Sequence, residues 1–284
     1  MRNHYYTLIT GASEGFGKAL AIECARRNMN LVLVALPGPE LFYLADFIKR
    51  NYGVTVITIE KDLCRDESCI ALYNEVTAMR LQVNMLINNA GIGTTLLFEE
   101  GSIDLYERQI KLNVLATTLI TRLFLDMLKR NGPAFILNVG SMASFFCLPK
   151  KQLYSATKSF IYFFSKNLNK ELRKDNIHVS VLCPGSMNTN MTLTLMNKTG
   201  NYISRMAVMN PEEVAPLAIA GLLNKKEVII PGRVNQLLML LDRVTPPLIK
   251  KILLQYTMKK IDPVNCFCRY LPQPFNRAAS SKAA

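Results

Sequence analysis

The sequence of 284 residues predicts an α/β fold in which helices cover both faces of a doubly wound parallel sheet. Two observations support this prediction. Short apolar runs alternate with segments of helix length over residues 1–231, and the first run leads directly into a glycine-rich turn and a helical pattern. Alternation of this kind makes successive strands parallel, because each connection crosses a face of the sheet.

Seven apolar runs are the predicted strands. Each is short and is separated from the next by enough residues for a helix. In chain order they cover residues 6–10, 31–36, 54–59, 83–87, 134–139, 178–182 and 227–231. No internal repeat or low-complexity linker divides them. We therefore expect one domain with a seven-stranded, Rossmann-type sheet over residues 1–231, followed by an extension over residues 232–284.

The composition is typical of a single large core in a reducing compartment. Hydrophobic residues make up 50% of the chain. The seven cysteines are odd in number and scattered, which argues against a disulfide framework. With only two histidines, His4 and His178, no four-ligand zinc pattern appears, and we expect no metal site. The first residues have no charged and apolar leader, so we expect a cytoplasmic protein.

The first predicted strand runs into a turn with three glycines. Gly11 allows the chain to turn tightly, Gly15 allows the backbone to approach a pyrophosphate, and Gly17 allows helix and strand to pack closely. The N-terminus of the following helix offers free amides to an anion. Because the turn follows the first strand of an alternating chain, it favours nucleotide binding over a merely structural turn.

A tyrosine and a lysine stand one helical turn apart later in the chain. Tyr154 and Lys158 share a helix face, so the ammonium is expected to lower the pKa of the phenol and let it move a proton near neutral pH. Lowering that pKa from about 10 to 7 needs roughly 4 kcal/mol, and the positive ring of an oxidised nicotinamide would supplement the lysine. Ser141 ends a buried strand, where its hydroxyl would donate to a substrate carbonyl or cap the strand.

Six motifs occur in order along the chain. They are TGASEGFG at residues 10–17, Asp62-Leu63, Asn88-Asn89-Ala90-Gly91, Asn113 within residues 111–114, Ser141 thirteen residues before Tyr154, and Pro184-Gly185 with Thr189. Together they resemble the classical short-chain dehydrogenase/reductase family over residues 5–231. The resemblance implies a catalytic domain that transfers hydride with NAD(P)(H), and an assembly of two or four copies through helices around residues 103–131 and 152–175.

The resemblance also implies roles for single residues. Tyr154 would be the general acid or base, Lys158 would tune it and donate to the nicotinamide ribose, and Ser141 would contact the substrate carbonyl. Asn113 would support a water-filled proton relay or be an ordinary helical asparagine, and Asn88 would be scaffold or contact. The implied cofactor contacts come from Gly11, Ser13, Gly15, Phe16, Gly17, Asp62, Asn89, Ala90, Gly91, Tyr154, Lys158, Pro184, Gly185 and Thr189.

The segment after the second strand bears on the choice of cofactor. Dinucleotide folds often place an acid there for the ribose 2′-hydroxyl, or an arginine for a 2′-phosphate. Residues 35–39, Ala-Leu-Pro-Gly-Pro, contain neither, and Leu36 stands where related members carry a basic residue. The lipid- or steroid-directed members that the chain resembles commonly use the phosphorylated cofactor, and the missing acid removes one barrier to it. The sequence therefore favours NADP(H) over NAD(H).

The C-terminal extension is basic and rich in apolar residues. Residues 232–284 contain nine Lys/Arg and two Asp/Glu, so they contribute 9 − 2 = +7 of the net charge of +13. After Pro247, apolar residues share one face of a predicted helix with lysines nearby; they are Leu248, Ile249, Ile252, Leu253 and Tyr256. No apolar run spans a bilayer. Such a helix would lie on an anionic membrane surface, cover the core as a lid, or pack in a dimer. Nothing in the pattern indicates nucleic-acid binding.

The sequence is compatible with three classes of function. The first is a dehydrogenase or reductase of ketones and secondary alcohols on an apolar substrate, such as a ketoacyl chain or a steroid-like ketone. The second is a sugar or polyol dehydrogenase with the same catalytic core, and the third is a cofactor-bound scaffold without turnover. The first is favoured by apolar residues that flank the site, either as pocket lining or as core: Phe145, Phe146, Leu148, Met191, Leu193, Leu195 and Met196.

Overall fold

The computed structural model of the chain describes residues 4–189, 191–199 and 205–246, and its centre is one parallel sheet. The strands are β1 (Tyr5–Thr10), β2 (Asn30–Ala35), β3 (Val56–Glu60), β4 (Gln82–Asn88), β5 (Ala134–Val139), β6 (Ile177–Leu182) and β7 (Val228–Ile229). Their order is β3-β2-β1-β4-β5-β6-β7, and every neighbouring pair is parallel. The predicted doubly wound, seven-stranded fold is therefore confirmed. The order reverses between β1 and β4, which places a crevice at their carboxyl ends.

Helices connect the strands across both faces of the sheet. They are α1 (Gly15–Arg26), α2 (Pro39–Tyr52), α3 (Asp66–Ala78), α4 (Ile103–Ile110), α5 (Thr117–Arg130), α6 (Gln152–Leu172), α7 (Met191–Thr199), α8 (Pro211–Leu223) and α9 (Arg233–Val244). A π-helical segment, Lys111–Ala116, joins α4 to α5 without a break. The alternation of strands and helices follows the pattern of apolar runs in the sequence.

The core lies in two layers because successive residues of a strand point to opposite faces of the sheet. Ile9 of β1 packs in the layer that includes side chains of α1, α2 and α8. Its neighbour Leu8 packs in the other layer, with side chains of α3, α5 and the end of α6. Both residues are fully buried. Helices on both faces therefore hold the carboxyl edge of the sheet in a fixed frame.

Six of the seven strands begin or end one or two residues away from the predicted bounds, and the changes at the ends of β7 and β3 lie at the carboxyl edge. The last strand is only Val228–Ile229, shorter than the predicted 227–231, and Pro231 lacks the N–H that would extend the ladder. The third strand continues past Ile59 to Glu60, which pairs with Ala35 of β2. This one-residue extension places a carboxylate beside the end of β2.

The chain divides into two units, Met1–Val244 and Thr245–Ala284. Helix α9 is part of the first unit. The predicted basic amphipathic helix after Pro247 lies outside the described residues. Within the described ranges, no helix combines the length and the apolar character that a bilayer crossing needs.

Candidate active site

The glycines between β1 and α1 stand where a side chain would not fit. Gly11 and Gly15 have φ of +64° and +52°, in the left-handed region that favours glycine. A Cβ on Gly17 would overlap the carbonyl oxygen of Gly11, and one on Gly15 would lie 3.2 Å from Cβ of Thr189. Glu14, at the N-cap of α1, makes no capping hydrogen bond with its side chain. Because the glycines carry no side chains and α1 has no side-chain cap, the pyrophosphate of a dinucleotide can approach the backbone amides at this helix N-terminus.

The other predicted cofactor positions lie along the same carboxyl edge. Phe16 is buried in the core and Ser13 is half-buried in the turn. Asp62 follows β3, and its Oδ1 accepts from the amide of Cys64 at 3.0 Å. The carbonyl of Pro184 accepts from the amide of Met142 at 2.9 Å, just after β6. The structure thus brings the motifs after β1, β3 and β6 to one edge of the sheet.

Asn89 ties the end of β4 to the end of β1. Its Nδ2 donates to the carbonyl oxygens of Thr10 and Gly11 at 2.9 and 3.0 Å. In return, Thr10 Oγ1 accepts from the amides of Asn89 and Ala90, both at 3.0 Å. Thr10 was not predicted as a site residue, although it begins the glycine motif. These bonds lock the two strand ends that border the crevice.

Asn88 takes part in a buried polar network below the site. Its Nδ2 donates to Thr121 Oγ1 at 3.0 Å and to Asn138 Oδ1 at 2.8 Å. Asn138 donates in turn to Ser165 Oγ at 2.9 Å. The network joins β4, β5, α5 and α6, an arrangement that favours the scaffold role predicted for Asn88 over a cofactor contact. These bonds connect the four elements, although the buried Oδ1 of Asn88 has no hydrogen-bond partner among the described residues.

Asn113 lies in the π-helical segment and holds the loop after β4. Its Oδ1 accepts from the amide of Ile92, and its Nδ2 donates to the Ile92 carbonyl, both at 2.9 Å. Nδ2 also donates to Thr157 Oγ1 on α6 at 3.1 Å. A Cβ on Gly91 would lie 3.1 Å from Asn113 Oδ1. The side chain of Asn113 therefore connects three parts of the site, and Thr157, one turn from Tyr154, was missed by the sequence patterns.

Ser141 and Tyr154 are brought together at the end of β5. Ser141 is the N-cap of the short 3-10 turn Met142–Ser144, and its Oγ accepts from the amide of Ala143 at 3.1 Å. Burial raises the pKa of Tyr154, and a hydrogen bond with the Ser141 side chain partly opposes that rise. The Tyr154 ring packs over Gly93, where a Cβ would lie 3.1 Å from a ring carbon. The cap and the catalytic role proposed for Ser141 are compatible.

Lys158 is buried beside Tyr154 but is directed to the backbone. Its Nζ donates to the carbonyl oxygen of Val139 at 2.8 Å and lies 5.8 Å from the centroid of the Tyr154 ring. Burial lowers the pKa of Lys158 to about 8. Burial raises the pKa of Tyr154 and the Ser141 hydrogen bond is the effect that opposes this rise, so the lowering by Lys158 together with an oxidised nicotinamide stays a prediction.

A second lysine stands on the other side of the tyrosine in sequence. Nζ of Lys151, the N-cap of α6, lies 5.6 Å from the centroid of the Tyr154 ring. Burial lowers the pKa of Lys151. The preceding residue, Lys150, has φ of +62°, and its carbonyl accepts from the amide of Leu96 at 2.9 Å, which joins the loops after β4 and β5. Lys151 was not predicted, although it lies one turn before Tyr154.

Cys183 lies against the same cluster. The thiol is fully buried, and burial raises its pKa to about 12, so it is a neutral group. A Cβ on Gly140 would lie 3.4 Å from its Sγ. A Cβ on Gly185, two residues later, would lie 2.6 Å from Asn235 Oδ1. The segment that carries Pro184 and Gly185 is therefore closely packed on both sides.

The apolar residues that flank the site divide into two groups. Phe145 and Phe146 are half-buried, and Phe145 packs edge-on against Tyr162 of the core, with 4.8 Å between ring centroids. In contrast, Leu148, Met191, Leu193 and Leu195 are exposed. The side chain of Met196 is outside the described part of the structure. Exposed apolar side chains on α7 are available to an apolar ligand or to a partner surface.

A separate cavity of about 330 Å³ lies at the opposite edge of the sheet, near the starts of β5 and β6. Its lining includes Arg173, His178 and Lys225, and it contains none of the predicted site residues.

Known proteins are similar to this chain in sequence and in architecture. The family described as short chain dehydrogenase matches residues 6–199. The 17-beta-hydroxysteroid dehydrogenase type 3 of Mus musculus is 33% identical over 197 residues, which cover 68% of this chain and 63% of that protein. The chain thus spans about three fifths of the length of this relative and of its human and rat counterparts.

Two solved structures are similar over nearly the whole chain. A short-chain dehydrogenase from Sphingobium yanoikuyae in complex with NADPH has a TM-score of 0.75 and 29% identity, and the match covers 94% of this chain and 100% of that chain. The bulky-bulky ketone specific alcohol dehydrogenase from Comamonas testosteroni has a TM-score of 0.73 and 29% identity, with coverage of 96% and 100%.

Proposed function

The chain belongs to the short-chain dehydrogenase family, and on that premise we propose that it interconverts a ketone and a secondary alcohol with a nicotinamide dinucleotide. The cluster of Ser141, Tyr154 and Lys158 at the carboxyl edge carries the proposal, because it stands beside the bare-backbone turn of Gly11, Gly15 and Gly17. A scaffold without turnover would not need a buried ammonium next to a buried phenol. The predicted family and enzyme class agree with this assignment.

Each residue of the cluster has a distinct task. When bound, the dinucleotide supplies or accepts the hydride at carbon. Tyr154 moves the proton at oxygen, donating it to the forming alkoxide in reduction and accepting it in oxidation. Ser141 donates a hydrogen bond to the same substrate oxygen and stabilises its developing charge. Lys158, held by Val139, keeps a positive charge behind the phenol, which offsets part of the cost of forming a buried phenolate.

The remaining residues hold this cluster in place. Asn113 connects the loop at Ile92 with Thr157 on α6, and Thr157 Oγ1 donates to the carbonyl of Tyr154 at 2.8 Å. Asn89 fixes the end of β4 against β1. Cofactor contacts are proposed from the turn residues Ser13 and Phe16, and from Asp62, Ala90, Gly91, Pro184, Gly185 and Thr189. Preorganisation of this kind reduces the reorganisation needed during the reaction.

The substrate is proposed to be a bulky apolar ketone or alcohol. Exposed apolar side chains of α7, including Leu193 and Leu195, follow the motif at Pro184 and Gly185 and offer an apolar wall. One relative is named for hydroxysteroids and one neighbour for bulky ketones, which supports the same class. We also propose that the chain forms a homodimer or homotetramer. The C-terminal extension is proposed to contact a membrane peripherally.

Reduced nicotinamide absorbance tests the function directly. Purified full-length chain is mixed with NADH or NADPH and a panel containing a steroid ketone, a 3-oxoacyl thioester, a bulky aryl ketone and a ketose. We expect oxidation of the dinucleotide with at least one of the three apolar carbonyls and a lower kcat/KM with the ketose. Turnover of the ketose alone would favour a polyol dehydrogenase, and no turnover with any member would contradict the proposed function.

A further inference from the structure

Two carboxylates lie at the loop that joins β2 to α2. Glu60 Oε1 accepts from the backbone amide of Gly38 at 2.9 Å. Glu40, in the first turn of α2, folds back to the same glycine, where a Cβ on Gly38 would lie 2.7 Å from its Oε2. Residues 36–38 themselves carry no charge. The acidic character of this loop therefore comes from its neighbours, one on each side.

The register of the sheet explains why Glu60 reaches this loop. Ala35 of β2 pairs with Glu60 of β3, and the amide of Lys61 donates to the carbonyl of Ala35 at 2.8 Å. The ends of the two strands therefore lie side by side at the carboxyl edge. Glu60 is exposed. A carboxylate offers about four acceptor positions, so one bond to Gly38 leaves capacity for a ligand.

The same loop is next to the nucleotide turn. The amide of Ala12 donates to the carbonyl of Val34 near the end of β2 at 3.1 Å. In dinucleotide folds, the group that follows the second strand meets the adenosine ribose, where an acid accepts from the 2′-hydroxyl and a cation accommodates a 2′-phosphate. The carboxylate of Glu60 thus lies where dinucleotide folds distinguish NAD(H) from NADP(H).

In this loop, the groups that would bind a 2′-phosphate are either missing or already bonded to other residues. Leu36, which directly follows β2, is apolar and 52% exposed. The amide of Gly38, at the N-cap of α2, already donates to Glu60. The ammonium of Lys61 pairs with Glu75 at 3.0 Å. A phosphate dianion brought here would meet carboxylates rather than donors, and like charges at short range repel.

We propose that Glu60 makes the chain prefer NAD(H) over NADP(H), by accepting from the ribose 2′-hydroxyl and repelling a 2′-phosphate. The inference rests on the proposed function. It reverses the preference for NADP(H) that the sequence favoured, since the absence of an acid after β2 was one of the two grounds for that preference. The acid comes instead from the end of β3, where only the sheet register reveals it.

Calorimetric titration of the full-length chain with NADH and with NADPH tests the proposal without requiring turnover. We expect NADH to bind at least tenfold more tightly than NADPH. Glu60→Gln keeps the size of the side chain and an oxygen for Gly38, and it should move the ratio of the two dissociation constants at least tenfold towards NADPH. Glu171→Gln is the matched control, since it removes an exposed carboxylate near the end of α6 and should leave the ratio unchanged.

The outcomes separate this proposal from the function on which it rests. Tighter binding of NADPH by the wild type, or an equal shift in Glu60→Gln and Glu171→Gln, would overturn the role of Glu60 while leaving the oxidoreductase assignment intact. Binding of neither dinucleotide by a folded chain would overturn both. If Glu60→Gln is unstable, Glu60→Ala with a circular dichroism check of folding provides the same comparison.

Discussion

The Lys158 ammonium donates a hydrogen bond of 2.8 Å to the carbonyl oxygen of Val139, the last residue of β5. The bond anchors a buried cation at the carboxyl edge of the sheet, one helical turn from Tyr154. The ammonium is bonded to a backbone carbonyl rather than paired with a carboxylate. Burial therefore lowers the pKa of Lys158 to about 8. On the proposed function, this desolvated lysine serves the chemistry rather than the stability of the fold.

Replacement of Lys158 is therefore expected to stabilise the fold at neutral pH. The pKa is lowered from 10.5 in the unfolded chain to about 8 in the folded chain, so the folded state bears the cost of a buried charge below pH 8. Lys158→Met should raise the free energy of unfolding at pH 7 by about 1 to 3 kcal/mol, at about 1.4 kcal/mol per pKa unit. Urea unfolding at pH 7 and pH 10 measures this.

The gain should shrink as pH rises from 8 to 10.5, because the wild type then sheds the buried proton. Lys166→Met, on the same helix, is the control, and it should change stability little at either pH. A Lys158→Met variant that is less stable than wild type at pH 7, with the same deficit at pH 10, would contradict this view of the lysine.

Lys151 is expected to influence the proton transfer of Tyr154. Its ammonium lies 5.6 Å from the ring centroid, so removing the charge should make the phenolate harder to form. In alcohol oxidation, Lys151→Met should shift the pH–rate profile upwards by about 0.5 to 1 unit, whereas Lys151→Arg should stay near wild type. Superimposable profiles for Lys151→Met and wild type would show that Lys151 does not influence the proton transfer of Tyr154.

The sequence was sufficient to predict the sheet and to name the candidate residues in motifs that the structure brings to its carboxyl edge. Apolar runs marked the strands because both faces of a parallel sheet are buried. The roles that depend on tertiary packing were not readable. Glu60 reaches Gly38 only through the register of β2 and β3, and Lys158 turns to Val139 only because α6 packs over β5. The pKa of Tyr154 depends on burial, which no helical spacing reports.

Assembly through α6 is expected because aromatic side chains lie exposed along it. Phe160 and Phe163 are 40% and 61% exposed, and Phe160 stacks on Phe164 with 5.6 Å between centroids. Light scattering should show a dimer or tetramer. Phe163→Arg should reduce the mass towards that of a monomer, whereas Phe47→Arg on α2, which is 46% exposed in the wild type, should not. A wild type that stays monomeric at all concentrations would exclude this assembly.

The C-terminal extension is expected to bind anionic membranes. Leu237 and Leu240 of α9 are 54% and 57% exposed, and the basic sequence continues beyond them. The full chain should sediment with phosphatidylserine vesicles at low salt, and less so at high salt, because screening weakens the attraction. Phosphatidylcholine vesicles are the control. Replacing Ile252 and Leu253 with Asp should release the protein.

Two results would decide against this role. A wild type that stays in the supernatant with anionic vesicles at low salt would exclude the membrane contact. Loss of solubility when residues 248–284 are removed would favour a cover for the core or for a subunit interface.

The rate of hydride transfer in wild type and in Tyr154→Phe, measured with the best carbonyl of the panel, tests the central claim most directly. The change removes the proton-transfer oxygen and keeps the ring between Lys151 and Lys158. The rate should fall by about 10² to 10⁴-fold, with dinucleotide binding nearly unchanged. Tyr162→Phe, on the same helix, should retain wild-type activity. A Tyr154→Phe enzyme that keeps most of the wild-type rate would contradict the assignment of Tyr154 as the acid and base.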